Sequence, residues 1–327
     1  MNGSQNGRAE RVIVISIMKS GTHLIKELMT ALGYGVYGNV RATPKSKPVL
    51  DSDTRWRLAA MVYDDDQLAS IKSQPESVFI DATDRAWEAL AWSWQARLGM
   101  PLTPMYGTEL INTGLVSQAY RRTAGSRFAE TPARVCWMFH EFDIRKIDGA
   151  FLREWMETGE PRIIFNYRDP RDTMLSLVNY LCGRTREGIS SVNYLPVFGR
   201  LLLAKQTLEE RLTYALLDDS FPCQASEFKS MLWLLHHPDV CNTSFEELVG
   251  PNGGGCAESQ VRATQRLIDF LGVTDCSAEE VVGRLFNRDA FSFFQGQIGG
   301  WREAFTDEHR RLADDRFSEV LSLYGYA

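Results

Sequence analysis

Short apolar runs that do not alternate with polar residues recur along this chain, separated by stretches of helical length. The runs are Arg11–Ile17, Val78–Ile80, Val135–Phe139, Arg162–Tyr167 and Asp239–Ser244. A strand that is apolar on both faces must be covered on both, which places it inside a parallel sheet. Thr22–Leu32, Asp84–Leu98, Gly149–Thr158, Asp172–Leu181, Ser226–His236 and Glu258–Leu271 carry helical spacing between and after the runs. Strands alternating with helices make right-handed crossovers, so the expectation is an α/β three-layer sandwich around a central, mainly five-stranded parallel sheet. With no internal repeat or low-complexity linker, residues 1–327 read as a single domain.

Three stretches break the rhythm. Arg41–Asp53 carries three Lys/Arg and two Pro, Pro101–Pro132 is rich in Gly, Thr and Pro, and Gly183–Pro222 is long and partly helical. Insertions in such domains gather at the carboxyl ends of the strands, where ligands bind. Segments of about 41–75, 100–133 and 183–225 are therefore candidates for a substrate cap. Trp87, Trp92 and Trp94, at helical spacing, read as core, whereas residues around Met100–Tyr106 and Tyr194–Phe198 suit the lining of an apolar pocket.

A net charge of −6 argues against a general nucleic-acid binder but leaves room for a local anion site. Six cysteines without a C-x-x-C pair read as neither a disulfide framework nor a metal site. Met1–Glu10 is polar, and Val12–Met18 is too short to cross a bilayer. The expectation is a cytoplasmic protein without membrane insertion. Nothing in the sequence sets its oligomeric state.

The run Ile13–Ile17 leads into Met18-Lys19-Ser20-Gly21-Thr22-His23, a strand, a tight turn and a helix start. Gly21 lets the backbone bring successive N–H groups toward one point. Ser20 and Thr22 add hydroxyls, Lys19 adds a cation, and the helix dipole aims at the same place. The result is a nest for a dianionic group. It is not a Walker A loop, because Lys19 precedes the lone Gly. A second strand, Arg162–Tyr167, runs into Arg168-Asp169-Pro170-Arg171-Asp172 and a helix that reaches Ser176. Pro170 suits a helix start, and Arg168 offers a bidentate fork for phosphate.

Together these segments resemble the sulfotransferases that use 3'-phosphoadenosine 5'-phosphosulfate (PAPS). Their first loop reads P-K-S-G-T-T-W, against Met18-Lys19-Ser20-Gly21-Thr22-His23-Leu24; their second motif places a Ser eight residues after an Arg, as Ser176 follows Arg168. Gly296-Gln297-Ile298-Gly299-Gly300-Trp301 followed by Phe305-Thr306 matches a third element, and Phe245-Glu246-Glu247-Leu248 a fourth. The resemblance runs in order from about residue 11 to the C-terminus. It implies a P-loop-like fold, with Lys19, Ser20, Gly21, Thr22 and His23 on the 5'-phosphosulfate and Arg168 and Ser176 on the 3'-phosphate. It also implies PAPS as co-substrate and no metal, while an apolar pocket lined by the segments around Met100–Tyr106 and Tyr194–Phe198 would suit a small hydroxylated acceptor such as a phenol, lipid or natural product.

Sulfuryl transfer requires a cation for the leaving phosphate, which suits Lys19, and a base for the acceptor hydroxyl. His140 is the candidate base: it ends the apolar run Val135–Phe139 and stands 28 residues before Arg168, near where the family's catalytic His falls. His236 and His237 read as helix-end charges, and His309 as part of an exposed charged helix.

The chain departs from the family at four places. Leu24 stands where a Trp stacks on adenine, Met138 where a Lys precedes the His, and Phe245 where a Tyr neighbours adenine. Phe294-Gln295 replaces the Arg-Lys that precedes Gly296 and serves the 3'-phosphate. Arg171, Arg288 and Arg302 are candidates to replace that cation. Two other readings stay open: a P-loop-type kinase with Asp81 as metal carboxylate, and a nucleotide-binding protein without sulfotransferase activity.

Overall fold

A computed structural model describes residues 7–40, 45–100, 102, 112–183, 195–285 and 296–327. The first half of the chain runs β1 (Arg11–Ser16), α1 (Thr22–Ala31), β2 (Gly35–Gly38), α2 (Ser52–Val62), α3 (Asp65–Lys72), α4 (Glu76–Arg97), α5 (Thr113–Arg122), β3 (Val135–Phe139), α6 (Gly149–Thr158) and β4 (Arg162–Tyr167). It continues with α7 (Pro170–Leu181), α8 (Leu195–Leu203), α9 (Leu208–Leu217), α10 (Ala225–Ser230), α11 (Leu232–His236), β5 (Val240–Ser244) and α12 (Phe245–Leu248). The last helices are α13 (Ala257–Leu271), α14 (Ala278–Val282), α15 (Trp301–Ala304) and α16 (Asp307–Tyr324).

The five strands form one parallel sheet in the order β2-β3-β1-β4-β5. Successive side chains leave the sheet on opposite sides. Val12, Val14, Cys136, Met138 and Ile164 therefore join one core with Ile25, Leu28 and Met29 of α1 and Leu267 and Ile268 of α13. Ile13, Ile15, Trp137, Phe139, Ile163 and Phe165 join the other, built with α4, α6, α7 and α16. Helices on both faces explain why β1, β3 and β4 carry apolar residues at successive positions along their cores, and the expected three-layer α/β sandwich is the fold observed.

One expected strand is a helix. Val78–Ile80 lies in the first turns of α4, with Val78 and Ile80 exposed. Pro75 precedes the helix, and beyond three apolar residues the pattern becomes helical: Ala82, Ala86, Leu90 and Trp94 are buried four apart. Asp81 is thus an exposed helical residue rather than a carboxylate at a strand end, which removes the feature that supported a kinase. The fifth strand is instead β2, Gly-Val-Tyr-Gly. A Cβ at Gly38 (φ 111°) would stand 2.3 Å from the Met138 carbonyl oxygen, so this edge strand is built on close backbone approach.

Two smaller expectations also change. Ser226–His236 is two short helices broken at Met231. His309 is buried, not exposed: its Nε2 lies 2.9 Å from Thr213 Oγ1, and it completes the N-terminal cap of α16 with Thr306. Trp87 and Trp94 are core, as their spacing predicts, and Trp92 is partly buried against it. Of the proposed cap, α2 and α5 pack on α4. Residues 41–44, 101, 103–111 and 184–194 lie outside the described residues, and with them half of the candidate apolar pocket.

Candidate functional site

In a parallel sheet all strands end on one edge. The neighbours β3, β1, β4 and β5 deliver His140, the loop Ile17–Gly21, Arg168 and Phe245 respectively to that edge. The chain leaves β1 toward β2 and leaves β4 toward β5, so the crevice between β1 and β4 is the topological switch point where α/β sheets bind ligands.

The loop after β1 turns tightly. Ser20 N–H donates to Ile17 O (2.9 Å), and both Lys19 (φ 65°) and Gly21 (φ 88°) take left-handed backbone. Gly21 has a second reason to lack a side chain, since a Cβ there would lie 2.6 Å from Phe245 Cδ2. The loop is tied to the sheet by buried polar groups. Asn166 Nδ2 donates to Ser16 Oγ (3.0 Å) and Ser20 O (2.8 Å), and Ser16 Oγ lies 3.0 Å from Thr22 Oγ1. Thr22 opens α1, whose first N–H groups have no intrahelical acceptor. The Ser20 hydroxyl is buried without a hydrogen-bond partner among the described residues. Such a hydroxyl costs about 1–3 kcal/mol, and a bound anion would relieve that cost.

Lys19 keeps part of its surface open to the crevice, yet its ammonium is crowded by protein. Nζ lies 4.2 Å from the ring centroid of Tyr180, and among the described residues it forms no ion pair with a carboxylate. Burial, then the guanidinium of Arg168, lowers its pKa to about 7. His23 is pushed down to about 3 by burial and by Lys26, Lys19 and His140. The cradle is a concentration of cations and bases.

His140 Nδ1 lies 2.9 Å from the backbone oxygen of Ser16. A carbonyl oxygen only accepts, so Nδ1 carries the proton and Nε2 keeps its lone pair in the neutral ring. Burial lowers the His140 pKa, opposed by the Ser16 hydrogen bond and reinforced by Lys19. Neutral His140 with a basic Nε2 is the form favoured near pH 7.

The turn after β4 is capped by Asp169, which accepts from Arg171 N–H (2.9 Å) ahead of Pro170 at the first position of α7. Arg168 is buried, its guanidinium 4.1 Å over the Phe245 ring, with Nη2 2.5 Å from Gln297 O and 3.4 Å from Asp172 Oδ2. Asp172 accepts from the backbone N–H groups of Gly299 (2.7 Å) and Trp301 (3.0 Å). The third motif is thereby brought to the second. Ser176 stands half-buried on α7, one turn beyond Asp172. Gly296 (φ 62°) leads into Gln297, whose amide donates to Asn252 O (2.9 Å).

Leu24, in the first turn of α1, packs against the core, Met138 is core within β3, and Phe245 is buried between Gly21 and Arg168. Phe294, Gln295 and Arg288 lie outside the described residues. Arg171 is committed to Asp169 and Tyr326 O. Arg302 is exposed, has no ion-pair partner among the described residues, and places Nη1 2.4 Å from where a Gly299 Cβ would stand. Both guanidiniums stack on Trp301, at 4.0 and 4.8 Å.

No protein-family model matches the chain, and no curated protein is significantly similar to it in sequence. Among solved structures, mouse sulfotransferase SULT7A1 complexed with PAP is similar at a TM-score of 0.49 and 14% identity, covering 98% of this chain and 90% of that one.

Of the residues singled out in the sequence, Lys19–His23, His140, Arg168, Phe245 and Gly296 lie on or beside the loops of this one sheet edge, with Ser176 on the helix that follows. Sequence reasoning missed Ser16, Asn166, Asp172 and Tyr180. Ser16 and Asn166 did leave a signal, as polar residues within otherwise apolar strands. Tyr180 left none. Among the described residues no group of three or more His, Cys, Asp or Glu is placed to hold a metal, and no helix is long and apolar enough to cross a membrane.

Proposed function

We propose that this protein is a sulfotransferase that moves the sulfuryl group of PAPS to the hydroxyl of a small molecule, yielding a sulfate ester and adenosine 3',5'-bisphosphate. The observation that carries the reading is Lys19, a crowded cation that meets no carboxylate among the described residues, beside the Ser20 hydroxyl, likewise unpartnered among them, and the start of α1, on the same sheet edge as a His held in one tautomer. A phosphosulfate would supply the anion, and an acceptor hydroxyl the proton, that these groups are placed to take.

The residues at the cradle fit a phosphosulfate. Ser20, Thr22 and the first N–H groups of α1 would hold its oxygens, and Lys19 would offset charge on the departing phosphate. The donor supplies an activated sulfur: the acceptor oxygen bonds to it as the bond to the 5'-phosphate oxygen breaks. His140 Nε2 takes the acceptor's proton, while Nδ1–H remains on Ser16 O and keeps the ring from turning. On the 3' side Arg168 already shares its charge with Asp172, so Arg302, exposed and without an ion-pair partner among the described residues, would meet the second phosphate. The acceptor is a small hydroxylated compound under a cap that includes α2, α5, α8 and α9, and the protein works in the cytoplasm.

Calorimetric titration with adenosine 3',5'-bisphosphate, AMP and ATP with magnesium tests the reading. Selective binding of the bisphosphate is expected, followed by turnover of PAPS across a panel of phenols and alcohols. A preference for ATP with magnesium would overturn it.

A further inference from the structure

Tyr180, in the last turn of α7, is 6% exposed, and its ring sits 4.2 Å from Lys19 Nζ. The charged and titratable groups that interact with that ammonium come from several elements: Arg168 at the end of β4, His23 on α1, and His140 after β3. All of them are cations or bases. Among the described residues, the ring face of Tyr180 is the electron-rich surface found against Lys19. An aromatic face attracts a cation through its quadrupole, more strongly where water is displaced. It does so without a formal charge. A carboxylate in that place would have to be pulled off Lys19 whenever an anion entered, whereas a ring yields the ammonium without leaving a buried charge behind.

We infer that Tyr180 is a positioning residue for Lys19: its ring face holds the ammonium at the rim of the first loop and releases it to the phosphate of an incoming donor. The role toward the donor rests on the sulfotransferase reading; the contact does not. Tyr180→Phe retains the ring, whereas Tyr180→Leu keeps apolar bulk and removes the π face.

The test is a ¹H–¹³C correlation spectrum of nucleotide-free protein carrying ¹³C-lysine, with the Lys19 signal identified by its loss in Lys19→Met. In the wild type and Tyr180→Phe the Lys19 Hε protons are expected well upfield of the other lysines, from the ring current. In Tyr180→Leu that displacement vanishes, and the titration midpoint of Lys19 drops by about one pH unit because the charged form loses its partner. Turnover falls roughly threefold to thirtyfold in Tyr180→Leu and is retained in Tyr180→Phe. An ordinary Hε position in the wild type, or an unmoved midpoint in Tyr180→Leu, overturns the inference. Should Tyr180→Leu not fold, the wild-type and Tyr180→Phe spectra still decide it. Because these spectra need no nucleotide, a displaced Lys19 signal in a protein that ignores adenosine 3',5'-bisphosphate overturns the donor reading alone.

Discussion

Lys19 and His140 are both held in the electrostatic state that disfavours their charge, with different consequences. Lys19 titrates near 7 in the fold and near 10.4 in an unfolded chain. Below the lower value both forms are protonated, and the fold carries the full cost of enclosing the cation. Between about 7 and 10.4 the unfolded chain binds more protons, so stability rises with pH and the cost is recovered. Lys19→Met should therefore stabilise the nucleotide-free protein by about 1–3 kcal/mol near pH 6–7, with the advantage fading toward pH 10. Denaturant midpoints at the two pH values check this; an equal gain at both would show that packing, not charge, is responsible. For His140 the lowered pKa places the acid limb of the kcat/KM profile below 6.5, the ordinary histidine value. His140→Gln is expected to lose about 10²–10⁴-fold in turnover while binding the bisphosphate as the wild type does. Retained turnover would remove His140 from the mechanism.

Elements position these residues through contacts that fix the backbone. Gly21 joins β1 to α1 in left-handed conformation, with Phe245 from the end of β5 closing the space a side chain would need. Gly21→Ala is expected to cost about 1–3 kcal/mol and to weaken nucleotide binding, because either the φ angle or the buried Phe245 ring must move. Thermal denaturation together with calorimetry measures both, and an unchanged Tm with intact binding would show that the loop tolerates another turn. This motif was legible in sequence because strand, glycine and helix start are adjacent there. The six helical stretches were legible as well, apart from the break at Met231 and the earlier start of α4, whereas α2, α3 and α5 were not read as helices. Val78–Ile80 and β2 were misjudged for related reasons. Three apolar residues do not distinguish a strand from the first turn of a helix, and the Gly-Val-Tyr-Gly strand has only two side chains, Val36 and Tyr37, whose burial in opposite cores depends on pairing with β3.

Across the whole molecule, the proposed second nucleotide subsite draws on segments far apart in the chain. Asp172 on α7 receives the N–H groups of Gly299 and Trp301, and Tyr326 links Arg171 to Glu246 through its carbonyl and hydroxyl. In this arrangement Arg302 meets no acidic partner among the described residues. Arg302→Gln should lower affinity for adenosine 3',5'-bisphosphate about threefold to tenfold, as an exposed charge contact does, and leave AMP binding unchanged. Equal loss for both nucleotides would place Arg302 away from the 3'-phosphate.

The alternation of apolar runs and helical stretches determined a parallel α/β sheet, because a strand apolar on both faces can be buried in few other ways. Local spacing likewise announced the Lys19–His23 loop, the Arg168–Ser176 turn and His140 at a strand end. Only the tertiary structure decided that Ser16 orients His140 and braces the loop, that Tyr180 faces Lys19, and that Arg168 pairs with Asp172 while Arg302 has no ion-pair partner among the described residues. Those facts depend on which strands and helices become neighbours. Pairing across the sheet and packing across some 130 residues are set by the burial of the whole core, and no local run of residues carries that information.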